Sequence, residues 1–326
     1  MKSFLKISLI YIFIFEMIFQ LFIFFNFKFI KIPDLFYNGY CDQKYWNFNP
    51  KPISFKNETK YHPILSFVKN DIDIPNLISN STIIEDQLFS KDNISLYGSS
   101  YINHEDFKLL LSKKDNFNFK NYALNSYGLD QIFLSYKLTA HMNQNRTIVI
   151  GFLLEDLDRS IFSKRDYEKV KFELENNEFI MKNIPVDINK KENFKTDLYL
   201  FKFLVNFYNL IRNDFDPRHD DCNKDYKVRL LKFYLDEIDK ISKTYNQKII
   251  IITFNLKEDL TKGLTWRYDL ITDALNKKNI SHIDSYKILK DKSSNQVNEL
   301  RSYFGADKHN NKKSFKYIID DLLMNL

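Results

Sequence analysis

The chain has 326 residues, 44% of them apolar, which suffices for a single large core beside a short N-terminal element. Its formal charge of +6 comes from 48 basic and 42 acidic side chains dispersed along the sequence, with no basic run and no basic stripe interleaved with aromatics, so a nucleic-acid partner is not expected. Only six glycines occur, so each one that follows a strand pattern carries weight.

Residues 1 to 32 read as an N-terminal signal anchor: Lys2 and Lys6, an apolar run from Ile7 to Phe27, then Lys28 and Lys31. About twenty apolar residues span ~30 Å of hydrocarbon as a helix, and no small-x-small cleavage site follows within the run, so a retained transmembrane helix is expected. The short basic start places the remainder outside the cytoplasm, as a membrane-anchored periplasmic or cell-surface domain. Glu16 and Gln20 interrupt the run at an i,i+4 spacing, and either face a partner helix or are tolerated there.

Residues 33 to 90 hold five prolines and lack a clear helical period, which predicts an extended leader packed on the domain. From 91 to 326, short β-rich runs alternate with helical ones. Strands are expected at Ile94 to Tyr97, Phe119 to Leu124, Arg146 to Leu154, Lys248 to Phe254 and Ile280 to Asp284. Helices are expected at His104 to Lys113, Asp130 to Asn143, Thr196 to Arg212, Tyr226 to Tyr245, Trp266 to Lys277 and Lys313 to Met324. A polar insertion at about 157 to 195 interrupts the alternation. The pattern predicts an α/β protein with a doubly wound parallel sheet, whose ligands bind outside the carboxyl ends of the strands.

At one such end stands Tyr97-Gly98-Ser99-Ser100, and before the last helix stands Asp307-Lys308-His309-Asn310-Asn311. A serine hydroxyl needs an imidazole to take its proton and a carboxylate to hold that imidazole, so Ser100, His309 and Asp307 form a candidate catalytic set, with His104 a weaker candidate. Cys41 and Cys222 are the only cysteines; they form one disulfide or remain two thiols. One cysteine with His219 nearby does not make a zinc site, and neither metal nor cofactor is expected.

These blocks resemble the SGNH or GDSL-type hydrolases, in particular membrane-anchored bacterial members, from about Ile94 to the C-terminus. The resemblance implies the three-layer, flavodoxin-like SGNH hydrolase fold. It carries the nucleophile onto Ser100, with Ser99 where the family has Asp, and the base and its orienting group onto His309 and Asp307. The second block aligns with Asn121 to Gln131, which places Ser126 at the position of the oxyanion-hole glycine and Asn125 beside it; the backbone of Ser100 completes the hole. In the third block Glu155 replaces the family's Asn, and Glu155, Asp156 and Arg159 are the candidate substrate-binding residues. The implied function is a serine esterase or acyltransferase acting on acyl esters, O-acetyl above all, of an extracytoplasmic glycan or related small ester, with a membrane acyltransferase as a possible partner. The alternative is a catalytically impaired binding or assembly protein for envelope polysaccharide, and Ser99 and Glu155 argue for it.

Overall fold

The structure is a computed structural model and describes residues 2–24, 36, 58–76, 90–113, 117–165, 167–188, 198–212, 216, 218 and 222–326. Its centre is a five-stranded parallel sheet. In chain order the elements that build it are β1 (Ser90–Gly98), α1 (Glu105–Ser112), β2 (Asn118–Asn121), α2 (Leu129–Thr139), β3 (Arg146–Leu153), α3 (Lys224–Thr244), β4 (Lys248–Phe254), α4 (Trp266–Lys277), β5 (Ser281–Asp284) and α5 (Lys312–Asn325). The spatial order is β2-β1-β3-β4-β5. The chain steps outward in one direction from β1 to β2 and in the other from β3 onward, so the switch point lies between β1 and β3.

The strands are apolar on both faces because helices cover both. Ile148, Ile150 and Phe152 of β3 join Leu134, Leu138, Leu231, Leu235 and Ile271 in one cluster, with α2, α3 and α4. The alternate residues Val149 and Leu153 join Phe107, Leu111, Phe315, Ile318 and Leu322 in the other, with α1 and α5. Successive side chains of a strand point to opposite faces, so one run of β-branched residues feeds two cores.

The five expected strands and six expected helices are present, with ends that differ by a few residues. Short helices that the periodicity did not signal occupy Asp156–Arg159, Lys257–Lys262, Ser285–Lys292 and Val297–Ser302. The insertion contains two antiparallel pairings, Lys164–Arg165 with Tyr167–Glu168 and Lys171–Glu175 with Glu178–Lys182. Within the expected leader, Thr59–His62 and Ser66–Lys69 pair as a hairpin, and Ile64, Leu65 and Val68 enter the same cluster as α2. The rest of the leader lies largely outside the described residues.

Contacts divide the chain into Met1–Ile53 with Asn189–Cys222, and Ser54–Ile188 with Asn223–Leu326. The second unit holds the sheet. In the first, a helix from Lys2 to Phe24 packs against a second helix, Tyr199–Ile211, with Phe19 5.0 Å from Phe203 between ring centroids. Among the described residues no helix is long and apolar enough to cross a membrane, so the transmembrane helix expected over Ile7 to Phe27 has no counterpart there. Cys222 is disulfide-bonded; Cys41, the other cysteine, lies outside the described residues.

Candidate active site

β1 ends at Gly98, which pairs with Gly151 of β3 at the switch point. A Cβ on Gly98 would lie 2.4 Å from the Gly151 carbonyl and 2.6 Å from Ile102 Cγ1, so only glycine allows the two strands and the following turn to close this tightly. The turn is held by the Asn103 amide donating to the Ser99 carbonyl at 3.1 Å, and it lifts Ser100 out of the sheet while Ser99 is buried.

On the other side of the site the chain enters α5. Asn311 caps that helix, its Oδ1 accepting from the amides of Lys313 and Ser314 at 3.0 and 3.2 Å. Just before it, Lys308 adopts a left-handed φ of 68°. That turn brings the side chains of Asp307 and His309 together. His309 Nε2 lies 2.8 Å from Ser100 Oγ, and its Nδ1 lies 3.2 Å from Asp307 Oδ2. The second contact is within ion-pair range but off the line of a hydrogen bond; the bond to the carboxylate comes from the His309 main-chain amide, 3.1 Å from Oδ1.

Burial lowers the pKa of His309 from its ordinary value, with the nearby His104 adding to the depression, and these outweigh the opposing pull of Asp307. The resting imidazole is therefore neutral near pH 7, the form that can accept a proton. Partial burial pushes the Asp307 carboxyl up, but its bonds to the His309 amide and to His104 prevail and hold it below its ordinary value. The ring of Tyr101, stacked on Phe254, lies 4.8 Å from that of His309 and backs the imidazole.

Of the other expected site residues, Ser126 has a left-handed φ of 70°, the backbone region that glycine adopts freely, and its carbonyl accepts from Arg165 Nη1 at 3.0 Å. Asn125 Oδ1 accepts from Asn103 Nδ2 at 3.0 Å, tying its loop to the turn after Ser100. Among the described residues, neither the Ser100 nor the Ser126 amide donates to a main-chain carbonyl outside regular elements. Glu155, Asp156 and Arg159 lie just past the carboxyl end of β3, in the turn and short helix that follow it. Asp156 is fully buried, accepts from the Leu153 amide at 2.9 Å and pairs with Arg159, whose side chain is 12% exposed. Glu155 is buried, and burial together with the charge of Asp259 raises its pKa well above 4.5 against the pull of Arg267. Burial thus favours the neutral acid over the carboxylate that would repel a developing oxyanion.

No family model matches this chain, and no curated protein does. Solved structures similar to it include a member of the lipolytic protein G-D-S-L family from Veillonella parvula, 11% identical, covering 71% of this chain and 96% of that one with a TM-score of 0.39. Another is the protein YxiM from Bacillus subtilis, 12% identical, covering 74% of this chain and 59% of that one with a TM-score of 0.40. The functional reading therefore rests on the site itself.

Sequence reasoning undervalued His104. Its Nδ1 caps α1 by accepting from the Asp106 amide at 3.2 Å, which leaves the proton on Nε2, 3.3 Å from Asp307 Oδ2. One carboxylate oxygen thus faces two imidazoles. A signal for this was present: His104 precedes Glu105 and Asp106 at the start of an apolar helical period, where a capping side chain belongs.

Proposed function

We propose that this protein is a serine esterase or acyltransferase. The observation that carries the reading is the 2.8 Å approach of Ser100 Oγ to His309 Nε2, with Asp307 beyond it. In the first step Ser100 attacks the ester carbonyl while His309 takes its proton; the amides of Ser100 and Ser126 hold the oxyanion, and His309 returns the proton to the leaving alcohol. In the second, His309 activates water or an acceptor hydroxyl, which releases the acyl group and regenerates Ser100. Hydrolysis and transfer differ only in that acceptor.

The substrate we assign is an O-acetyl or similar small acyl ester of an extracytoplasmic glycan, handled by a domain that the apolar run from Ile7 to Phe27 holds at the membrane, with a membrane acyltransferase as the partner if the acyl group is transferred. The support for the substrate and the location is the sequence resemblance and that run. A second reading, an envelope polysaccharide-binding protein with an impaired site, is favoured by Ser99, whose buried hydroxyl has no hydrogen-bond partner among the described residues, and by Glu155 in place of an amide donor.

A fluorophosphonate probe with the full chain and its Ser100→Ala variant separates the two. Labelling mapped by mass spectrometry to Ser100, and lost in the variant, is expected. A folded wild-type protein that takes no label supports the binding reading. With O-acetylated glycan as substrate, acetate release in water and acetyl transfer to a deacetylated glycan then distinguish hydrolase from transferase.

A further inference from the structure

The helix Tyr199–Ile211 is built inside out. Its inward side, towards the helix Lys2–Phe24, carries the buried Asn206 and the half-buried Lys202 and Asn209 beside Tyr199 and Phe203. Its outward side carries Phe201, Leu204, Val205, Phe207, Tyr208 and Ile211, all exposed, with Phe201 at 67% and Ile211 at 65%. A helix packed on a protein in water shows the reverse polarity. The neighbouring helix is likewise exposed and apolar along its length, from Ile7 through Phe13 to Leu21.

At Glu16 the two helices satisfy one another's polar groups. Glu16 accepts from the amides of Tyr199 and Leu200 at 3.1 and 2.8 Å and from Gln20 Nε2 at 2.6 Å. The first amides of a helix have no intrahelical acceptor, and a carboxylate in hydrocarbon has no water to solvate it. In water each could be hydrated; hydrocarbon requires them to meet. Glu16 thus finds its partner in a second helix of its own chain.

We infer that Tyr199–Ile211 is a membrane-contacting helix that presents this outward side to lipid acyl chains at the bilayer boundary. Thirteen residues make about 20 Å of helix, short of the ~30 Å hydrocarbon thickness, so the helix lies in the boundary rather than crossing it. Arg212, whose Nη1 donates to Tyr208 Oη at 2.9 Å, sits at its C-terminal end as the kind of pair that reaches the polar headgroups. This inference is independent of the chemistry at Ser100.

The test uses the full chain in nanodiscs of phosphatidylethanolamine and phosphatidylglycerol, with p-benzoylphenylalanine at position 201 and, separately, at position 109. Leu109 is an exposed apolar residue of α1 and serves as the control. Irradiation is expected to give lipid adducts at 201 at least tenfold above those at 109. Equal yields at the two positions, no lipid adduct at 201, or a crosslink from 201 to a second protein chain would each overturn the inference, the last by showing that the face is a protein interface.

Discussion

At the residue scale, Glu155 and His104 carry the sharpest consequences. Both carboxyl oxygens of Glu155 are buried without a hydrogen-bond partner among the described residues, and the folded-state pKa is raised well above the ordinary 4.5. Below 4.5 the folded and unfolded forms are both protonated and no penalty arises. As pH rises past 4.5 the unfolded form ionises first, and stability falls by about 1.4 kcal/mol per pH unit until the folded pKa is reached. Glu155→Gln keeps the shape and removes the titration. Thermal unfolding between pH 4 and 8 should show the variant gaining on wild type as pH rises, and parallel curves would mean the carboxyl is ionised in the folded protein. His104 acts through Asp307. His104→Phe keeps a ring against Phe315, 5.1 Å away in wild type, but removes the bond to the carboxylate and the cap of α1. About 1 kcal/mol of stability should be lost with the cap. Losing the bond lets the Asp307 pKa rise, and losing the neighbouring imidazole lets the His309 pKa rise. Both effects move the acid limb of kcat/KM to higher pH, with a rate loss of about tenfold, against a loss of order 10⁴ for Asp307→Asn. An unmoved acid limb would leave His104 a helix cap only.

At the scale of elements, the turn after β1 depends on two glycines facing each other across β1 and β3. Gly98→Ala would drive a methyl against the backbone of Gly151 and the side chain of Ile102, neither of which can retreat without opening the sheet. A cost of about 1–3 kcal/mol or more is expected, measured by urea denaturation, together with lost labelling of Ser100. Much of this element was legible beforehand. The apolar run ending in Gly98, the exit into Ser100 and the entry into α5 after His309 follow from local period and turn residues, and β4 and α4 have the expected ends. The short helices at Asp156–Arg159 and Val297–Ser302 were not legible, because four to six residues contain too little of a helical period to stand out from loop.

For the molecule as a whole, buried ions join segments far apart in sequence. Asp158 Oδ2 accepts from Arg267 Nε at 2.5 Å, and its Oδ1 accepts from Lys227 Nζ at 2.6 Å, all three side chains fully buried. The short helix after β3 is thereby tied to α3 and α4. Asp158→Asn leaves two buried cations short of their carboxylate and should cost about 3–5 kcal/mol in chemical denaturation, whereas replacing all three by apolar residues should cost far less.

By itself the sequence determined the α/β alternation, the strands that carry the sheet, and the serine, histidine and aspartate that meet at one end of it. Those features are written in hydrophobic period and in turn and capping residues, which act over a few positions. Tertiary structure alone decided that Asp307 faces two histidines, that Glu155 and Asp156 turn inward, and that Glu16 caps a helix 183 residues later. Each of those depends on which segments approach each other, and a buried charge declares its partner only when the chain has brought one within reach.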